Sequence, residues 1–156
     1  MKHRARLGVV CLGRTTFDYK AAEKLYSTIL REMEDLENTE ITAESALIIE
    51  PEDAHKAAVR LSGMDIDGLV IISGTFHLGH LALEFEKVLH KPILLWGLPE
   101  LEYNGGKIRL NSVCGVNLNA SNLYKGGVRN YHVNIGSSID GNWVDAIRII
   151  SALKNS

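Results

Sequence analysis

The stretch from Asp67 to His80, Asp-Gly-Leu-Val-Ile-Ile-Ser-Gly-Thr-Phe-His-Leu-Gly-His, most narrows what this chain can fold into. Its apolar run shows no alternation with polar residues. That pattern suits a strand buried on both faces, and such strands belong to parallel sheets covered by helices on each side. The run then breaks into a polar, glycine-containing turn. In open α/β sheets ligands collect outside the carboxyl ends of the strands, so Ser73 to His80 is the first place to look for a site.

Strand-like and helix-like runs alternate along all 156 residues, with no internal repeat or low-complexity segment. Leu7 to Leu12 reads as a first strand. Asp18 then caps a helix whose apolar positions Ala22, Leu25, Ile29, Met33 and Leu36 keep helical spacing to an end near Asn38. Glu44 to Ile49 reads as the second strand. Pro51 opens and Gly63 closes the next helix, the expected asymmetry of helix ends, with Ala54, Ala58 and Leu61 as its buried stripe. Gly68 to Ser73 is the third strand, followed by a helix from about Gly79 to Leu89. Pro92 to Trp96 is the fourth strand. Gly97 to Arg109 is a long excursion with an Asn104-Gly105-Gly106 turn, and loops of that length are usually functional or part of an interface. A short helix from Gly115 to about Lys125, a fifth strand from Tyr131 to Ile135 and a closing helix from Trp143 to Leu153 complete the pattern.

This alternation predicts an α/β fold in one domain spanning 1–156. It is a doubly wound, parallel five-stranded sheet in a flavodoxin-like, Rossmann-like three-layer sandwich, strand order 2-1-3-4-5. An apolar fraction of 46% suits a single core of this size. The net charge of −2 mixes both signs along the chain. No basic block stands out, which argues against nucleic acid and membrane surfaces as partners. The basic start Met1 to Arg6 is followed by an apolar run too short for a signal peptide, and no segment has the length of a membrane helix. Cys11, in a core strand, and Cys114, far along the chain, form no disulfide framework. A reducing cytoplasm is the expected location.

The turn after the first strand, Gly13-Arg14-Thr15-Thr16-Phe17-Asp18, sets a guanidinium, hydroxyls and backbone amides at a helix start, where a phosphate, a carboxylate or a sugar hydroxyl could bind. It lacks the glycines of a nucleotide fingerprint. After the third strand come Ser73, Thr75, Phe76, His77 and His80. With Glu84 the histidines share one helical face, a spacing that could seat a metal, but no cysteine joins the cluster and no metal is assigned to this chain. A phosphorelay receiver needs an aspartate where Ser73 stands. A Ser73–His77 hydrolase pair lacks the nucleophile-elbow glycines and a third member. Trp96 and Glu100 after the fourth strand could offer an aromatic wall and a carboxylate to a sugar-like ligand, or Trp96 could simply finish the core. Asn117 and Ser121, four residues apart on one helix face, can donate to hydroxyls without carrying charge. Cys114 has no adjacent basic group and reads as buried and inert.

The pairs Thr75-Phe76 and Lys91-Pro92, the apolar strands Leu69 to Ile72 and Ile93 to Leu95, and the segment Asn117-Leu118-Asn119-Ala120-Ser121 followed by Gly126-Gly127 together resemble the N-terminal region of the L-fucose and L-arabinose ketol isomerases. The resemblance covers nearly all of this chain but only about the first third of a family enzyme. It implies aldose–ketose isomerisation through an enediol, with a divalent metal, usually manganese, held by a glutamate, an aspartate and a histidine from later domains. No cofactor is then bound by this chain. The implied partners are a sugar substrate and further copies of the protein, in a homo-oligomer whose active sites are shared between subunits. By motif position, Arg14 and Phe76 would reach the sugar, with Thr15, Thr75, His77, Trp96 and Asn117 as further contacts.

Lys154-Asn155-Ser156 follows a complete helix, where a domain boundary would fall. The alternative reading is a stand-alone flavodoxin-like binding module for a sugar or a phosphorylated small molecule at Gly13 to Phe17. A downstream reading frame carrying the metal ligands separates the two.

Overall fold

The computed structural model describes residues 4–102 and 105–155. The elements run β1 (Ala5–Leu12), α1 (Tyr19–Glu34), β2 (Thr39–Ala43), α2 (Pro51–Ser62), β3 (Gly68–Ser73), α3 (Leu81–Leu89), β4 (Ile93–Gly97), α4 (Ser112–Lys125), β5 (Tyr131–Ile135) and α5 (Gly141–Lys154). The five strands form one sheet in the order β2-β1-β3-β4-β5, and every neighbouring pair is parallel. This is the flavodoxin-like order expected from the sequence. The start Met1 to His3, the Asn104 position of the expected Asn-Gly-Gly turn, and Ser156 lie outside the described residues.

Every residue of β3 is buried, as its uninterrupted apolar run requires. Alternate side chains feed two cores. On one face Val70 and Ile72 meet α1 and α5 through Tyr26, Met33, Val144 and Ile147. On the other, Leu69 and Ile71 meet α2, α3 and α4 through Leu61, Phe85 and Leu123. Each fully buried aliphatic side chain contributes about 1.5–3 kcal/mol, so the central strands fix the fold. Asp18 caps α1 by accepting from the Ala21 N–H at 3.2 Å, and Asp140 caps α5 through the Asn142 and Trp143 N–H groups. Among the described residues no helix is long and apolar enough to cross a membrane.

The second strand departs from the sequence expectation. It is Thr39–Ala43, whereas the more apolar Glu44 to Ile49 leaves the sheet, keeping a Glu44 N–H bond to the Val9 carbonyl and an Ile48 bridge to Leu12. Asn38, at φ 53°, turns the chain straight into the sheet, and the Tyr26 hydroxyl donates to the Glu44 carbonyl at 2.5 Å where the strand ends. An edge strand needs apolar cover on fewer sides than a central one, so a Thr-Glu-Ile-Thr sequence suffices. The start of α4 also moves, from the expected Gly115 to Ser112 behind a left-handed Asn111.

Candidate functional site

The loops 13–18, 74–80 and 98–111 converge at the carboxyl edge of the sheet. Gly74 lets the second of them lie against β1, since a Cβ there would sit 2.7 Å from the Cys11 sulfur. The Gly74 N–H donates to the Leu12 carbonyl at 2.9 Å. Thr75 is fully buried. Its hydroxyl oxygen accepts from the Arg14 backbone N–H at 2.9 Å and donates to the Phe76 carbonyl at 2.8 Å. Thr75 thus ties the first turn to the third, and its role is to hold two backbones rather than to face a ligand.

That tie fixes the Arg14 backbone and leaves its side chain exposed. The guanidinium has no hydrogen bond or ion pair among the described residues. Thr15 is exposed beside it, and Phe76 is half-buried. The Phe76 ring lies 6.0 Å from Phe17 at an interplanar angle of 54°. Phe17 was not among the expected contacts, and only its place next to Arg14 in the first turn hinted at it.

The long loop is clamped over this edge. Arg109 Nε and a terminal nitrogen reach Asp18 Oδ2 at 3.0 and 2.9 Å. The Asp18 N–H donates to the Arg109 carbonyl and the Phe76 N–H to the Leu110 carbonyl. The Arg109 hydrogen bond, with the Ala21 N–H, holds the Asp18 carboxyl below its ordinary range. Glu100 accepts from the N–H groups of Leu101, Leu110 and Asn111 at 2.8–3.2 Å. Burial raises the Glu100 pKa, but these backbone donors and the Arg109 charge outweigh it and hold the carboxyl below the usual range. Its carboxylate is therefore committed to loop geometry. No local pattern announces the Asp18–Arg109 clamp, because the two residues are 91 positions apart.

Beneath the rim lies a sealed polar network. His77 has no exposed surface. Its Nδ1 is 3.0 Å from the Leu78 carbonyl, which makes Nδ1 the N–H donor and leaves Nε2 as an acceptor. Ser73 Oγ and Asn119 Nδ2 approach Nε2 at 3.0 and 3.2 Å. Desolvation pushes the His77 pKa down, partly offset by the Leu78 hydrogen bond. Gly115 makes room for the ring, since a Cβ there would lie 3.0 Å from Nε2. Asn119 Oδ1 is buried and has no hydrogen-bond partner among the described residues. Ser112 Oγ donates to the Ser73 carbonyl at 2.5 Å and accepts from the Leu98 N–H at 2.7 Å, tying the start of α4 to β3 and to the long loop.

The structure corrects several expected contacts. His77 is sealed in this network instead of facing a sugar. Trp96, 1% exposed, belongs to the core under α1, and its Nε1 donates to the Gly136 carbonyl at 2.7 Å. Asn117 lies on the outer face of α4, turned away from Asn119, the asparagine that enters the network. Cys114, expected to be buried, is exposed, whereas Cys11 is buried as expected and its thiol pKa is raised by desolvation. His77 precedes α3, exposed His80 stands at its N-cap, and Glu84 contacts Lys87 and His55, so the three do not converge. Among the described residues no three His, Cys, Asp or Glu side chains are grouped to hold a metal ion.

Ile108 of the clamped loop borders two shallow clefts. One, of about 290 Å³, is lined by Thr16, Phe17, Asp18, Lys107, Ile108 and Arg109. The other, of about 250 Å³, is lined by Leu98, Glu100, Ile108, Asn111, Ser112 and Val113. Arg14 and Phe76 line neither and stand on the rim. A larger cavity of about 350 Å³ lies between the end of α1 and α5, away from the converging turns.

Residues 8–140 match the N-terminal domain of the fucose/sulfoquinovose isomerases. No curated protein matches the chain. Among solved structures, an ABC transporter solute binding protein from Bacillus halodurans C-125 with bound myo-inositol is similar at 7% identity and a TM-score of 0.41. That match covers 94% of this chain and 64% of the other, so the chain spans under two-thirds of its length. The match over 8–140 takes in all of the sheet but the first three residues of β1, together with the converging turns, and on it the chain belongs to the fucose/sulfoquinovose isomerase N-terminal domain family.

Proposed function

We propose that this chain contacts the sugar and joins subunits in a metal-dependent aldose–ketose isomerase, with the catalytic metal held by later domains. The reading is supported by the family match together with one observation at the rim. Arg14 holds an unpaired guanidinium, and Thr75 locks its backbone to that of the half-buried Phe76. A planar guanidinium can bond two neighbouring hydroxyls at once, and an aromatic ring covers the apolar face of a sugar. Because the Arg14 backbone is already ordered, binding has to order only the arginine side chain.

Manganese is the metal expected of the complete enzyme, where it would polarise the sugar oxygens during the proton shift. The described residues offer it no grouped ligands, so no step of the reaction is assigned to a metal on this chain. Nor is a proton transfer assigned here. His77 is sealed, and Glu100 and Asp18 are spent on the loop. The domain's contribution is to bind and orient substrate. Two free cysteines and a mixed surface charge support a cytoplasmic location. The alternative, a module for a phosphorylated ligand, gains little from the cleft at the first turn. Its Arg109 is neutralised by Asp18, which leaves Lys107 as the cation lining it, with the free Arg14 of that turn outside the cleft.

The test is isomerisation of L-fucose and of sulfoquinovose by the full-length protein supplied with manganese. Arg14→Ala should lower kcat/KM about tenfold or more on the accepted sugar, equivalent to about 1.4 kcal/mol. An unchanged kcat/KM would remove Arg14 from the substrate contacts and the reading with it.

A further inference from the structure

Two neighbouring carbonyls of the long loop serve two different turns. The Arg109 carbonyl accepts from the Asp18 N–H at 2.9 Å, and the Leu110 carbonyl accepts from the Phe76 N–H at 2.8 Å. One dipeptide therefore sets the separation between the end of the first turn and the Phe76 backbone. The dipeptide is itself held at three points. The Leu110 side chain has no exposed surface and packs in the core under α1. Its N–H donates to the Glu100 carboxylate. The Arg109 guanidinium reaches Asp18 Oδ2 through two nitrogens, while Asp18 Oδ1 stays on the Ala21 N–H. Of the three holds, the guanidinium is the one that grips a turn directly.

The contact between Asp18 and Arg109 is reciprocal. Backbone N–H donates to carbonyl in one direction, and guanidinium donates to carboxylate in the other. Two bonds of opposite sense between the same residues fix orientation as well as distance. The side chains are 29% and 35% exposed, so the charge-assisted pair is screened less than one on the open surface. The first turn is thereby pinned at both ends, by the Arg14 N–H on the Thr75 hydroxyl and by Asp18 on Arg109, with the Phe17 N–H bonded to the Arg14 carbonyl between them. Phe76 is pinned on both sides of its ring, its N–H on Leu110 and its carbonyl on the Thr75 hydroxyl. The Phe17 and Phe76 rings, 6.0 Å apart, stand where the two pinned segments meet.

We propose that Arg109 is a positioning residue for the sugar-facing rim. Through Asp18 and the two carbonyls it holds the turn of Arg14 and the backbone of Phe76 at one fixed separation. Its own charge is taken up by Asp18, so its contribution is preorganisation, which lowers the ordering cost of binding. The assignment rests on the sugar-contact reading above and adds a residue that acts from outside the contacts themselves.

The experiment uses full-length protein and two variants. Arg109→Met removes the charge and keeps an unbranched side chain, and Asp18→Asn keeps an oxygen for the Ala21 N–H. Amide exchange is read first and needs no sugar. In each variant the Asp18 and Phe76 N–H groups should exchange about tenfold faster, with Ile71 and Ile72 of β3 at wild-type rates. The double variant should be no faster than either single one, because both remove the same contact. Kinetics with manganese and the accepted sugar should then show KM raised about tenfold at unchanged kcat, since a displaced rim weakens binding, whereas partial unfolding lowers kcat and leaves KM alone. Unchanged exchange at Asp18 and Phe76, acceleration spread evenly over β3, additive effects in the double variant, or a loss confined to kcat each overturns the proposal. Arg14→Ala, measured in parallel, separates this assignment from the reading it rests on. Its unchanged kcat/KM beside faster Phe76 exchange in Arg109→Met removes the sugar contact and keeps the positioning, and the reverse pair of results removes the positioning alone.

Discussion

Arg14 and His77 both follow apolar strands of one sheet and both stand at its carboxyl edge, yet one side chain ends in solvent and the other has no exposed surface. The difference is made by what covers them. The Arg14 side chain is left exposed, whereas α4 lays Gly115 and Asn119 directly against the His77 ring. A polar residue at a strand end therefore marks a place where chemistry can occur, and the packing of distant elements decides whether it faces a ligand or braces the scaffold.

The largest effect that separates the two is on stability. His77→Ala leaves a cavity and strands Ser73 Oγ and the Asn119 amide without their partner, which should cost about 3 kcal/mol in chemical denaturation. A loss below about 1 kcal/mol would mean that the network is not bracing the edge. Next comes Gly115→Ala. Alanine gains about 1 kcal/mol of helix propensity, but its Cβ would press on a ring held at both nitrogens. A net loss of about 1–2 kcal/mol is expected from overpacking, and a net gain would show that the ring can move aside.

A third test uses pH. His77 titrates below its unfolded value of about 6.5, so between the two values the unfolded chain binds the extra proton. Its contribution is complete above about pH 6.5 and falls as pH drops, by up to about 1.4 kcal/mol per unit, until the folded-state value is reached. Stability curves measured across this window should flatten in His77→Gln, and identical slopes would place the titration elsewhere. The smallest expected effect sharpens the contrast from the other side. Arg14→Ala should change stability by less than about 0.5 kcal/mol, read by the same denaturation. A larger loss would move Arg14 from the ligand-facing half to the structural one.

The central strands and their helices were legible because burial on both faces demands an unbroken apolar run, and Leu69 to Ile72 satisfies it without ambiguity. The second strand was misplaced because an edge strand relaxes that demand, and apolar Ala46 to Ile49 outbid Thr39 to Ala43. The candidate site was legible in part. Arg14, Thr15 and Phe76 come together at the carboxyl edge, and Thr75, expected as a contact, is buried beneath them as the tie between two turns. Trp96 and His77 sit at the right edge but inside it, and Asn117 is one residue pair away from the asparagine that enters the network. The Asp18–Arg109 and Glu100 clamps join residues through space and leave no periodic trace.

By itself the sequence determined the parallel sheet, its strand order and the edge where polar groups gather, because apolar periodicity and turn residues act locally and repeat along the chain. Tertiary structure alone decided which of those polar groups are exposed and which carboxylates are spent on holding a loop. Those outcomes depend on which distant elements pack together, and no local pattern of residues encodes that.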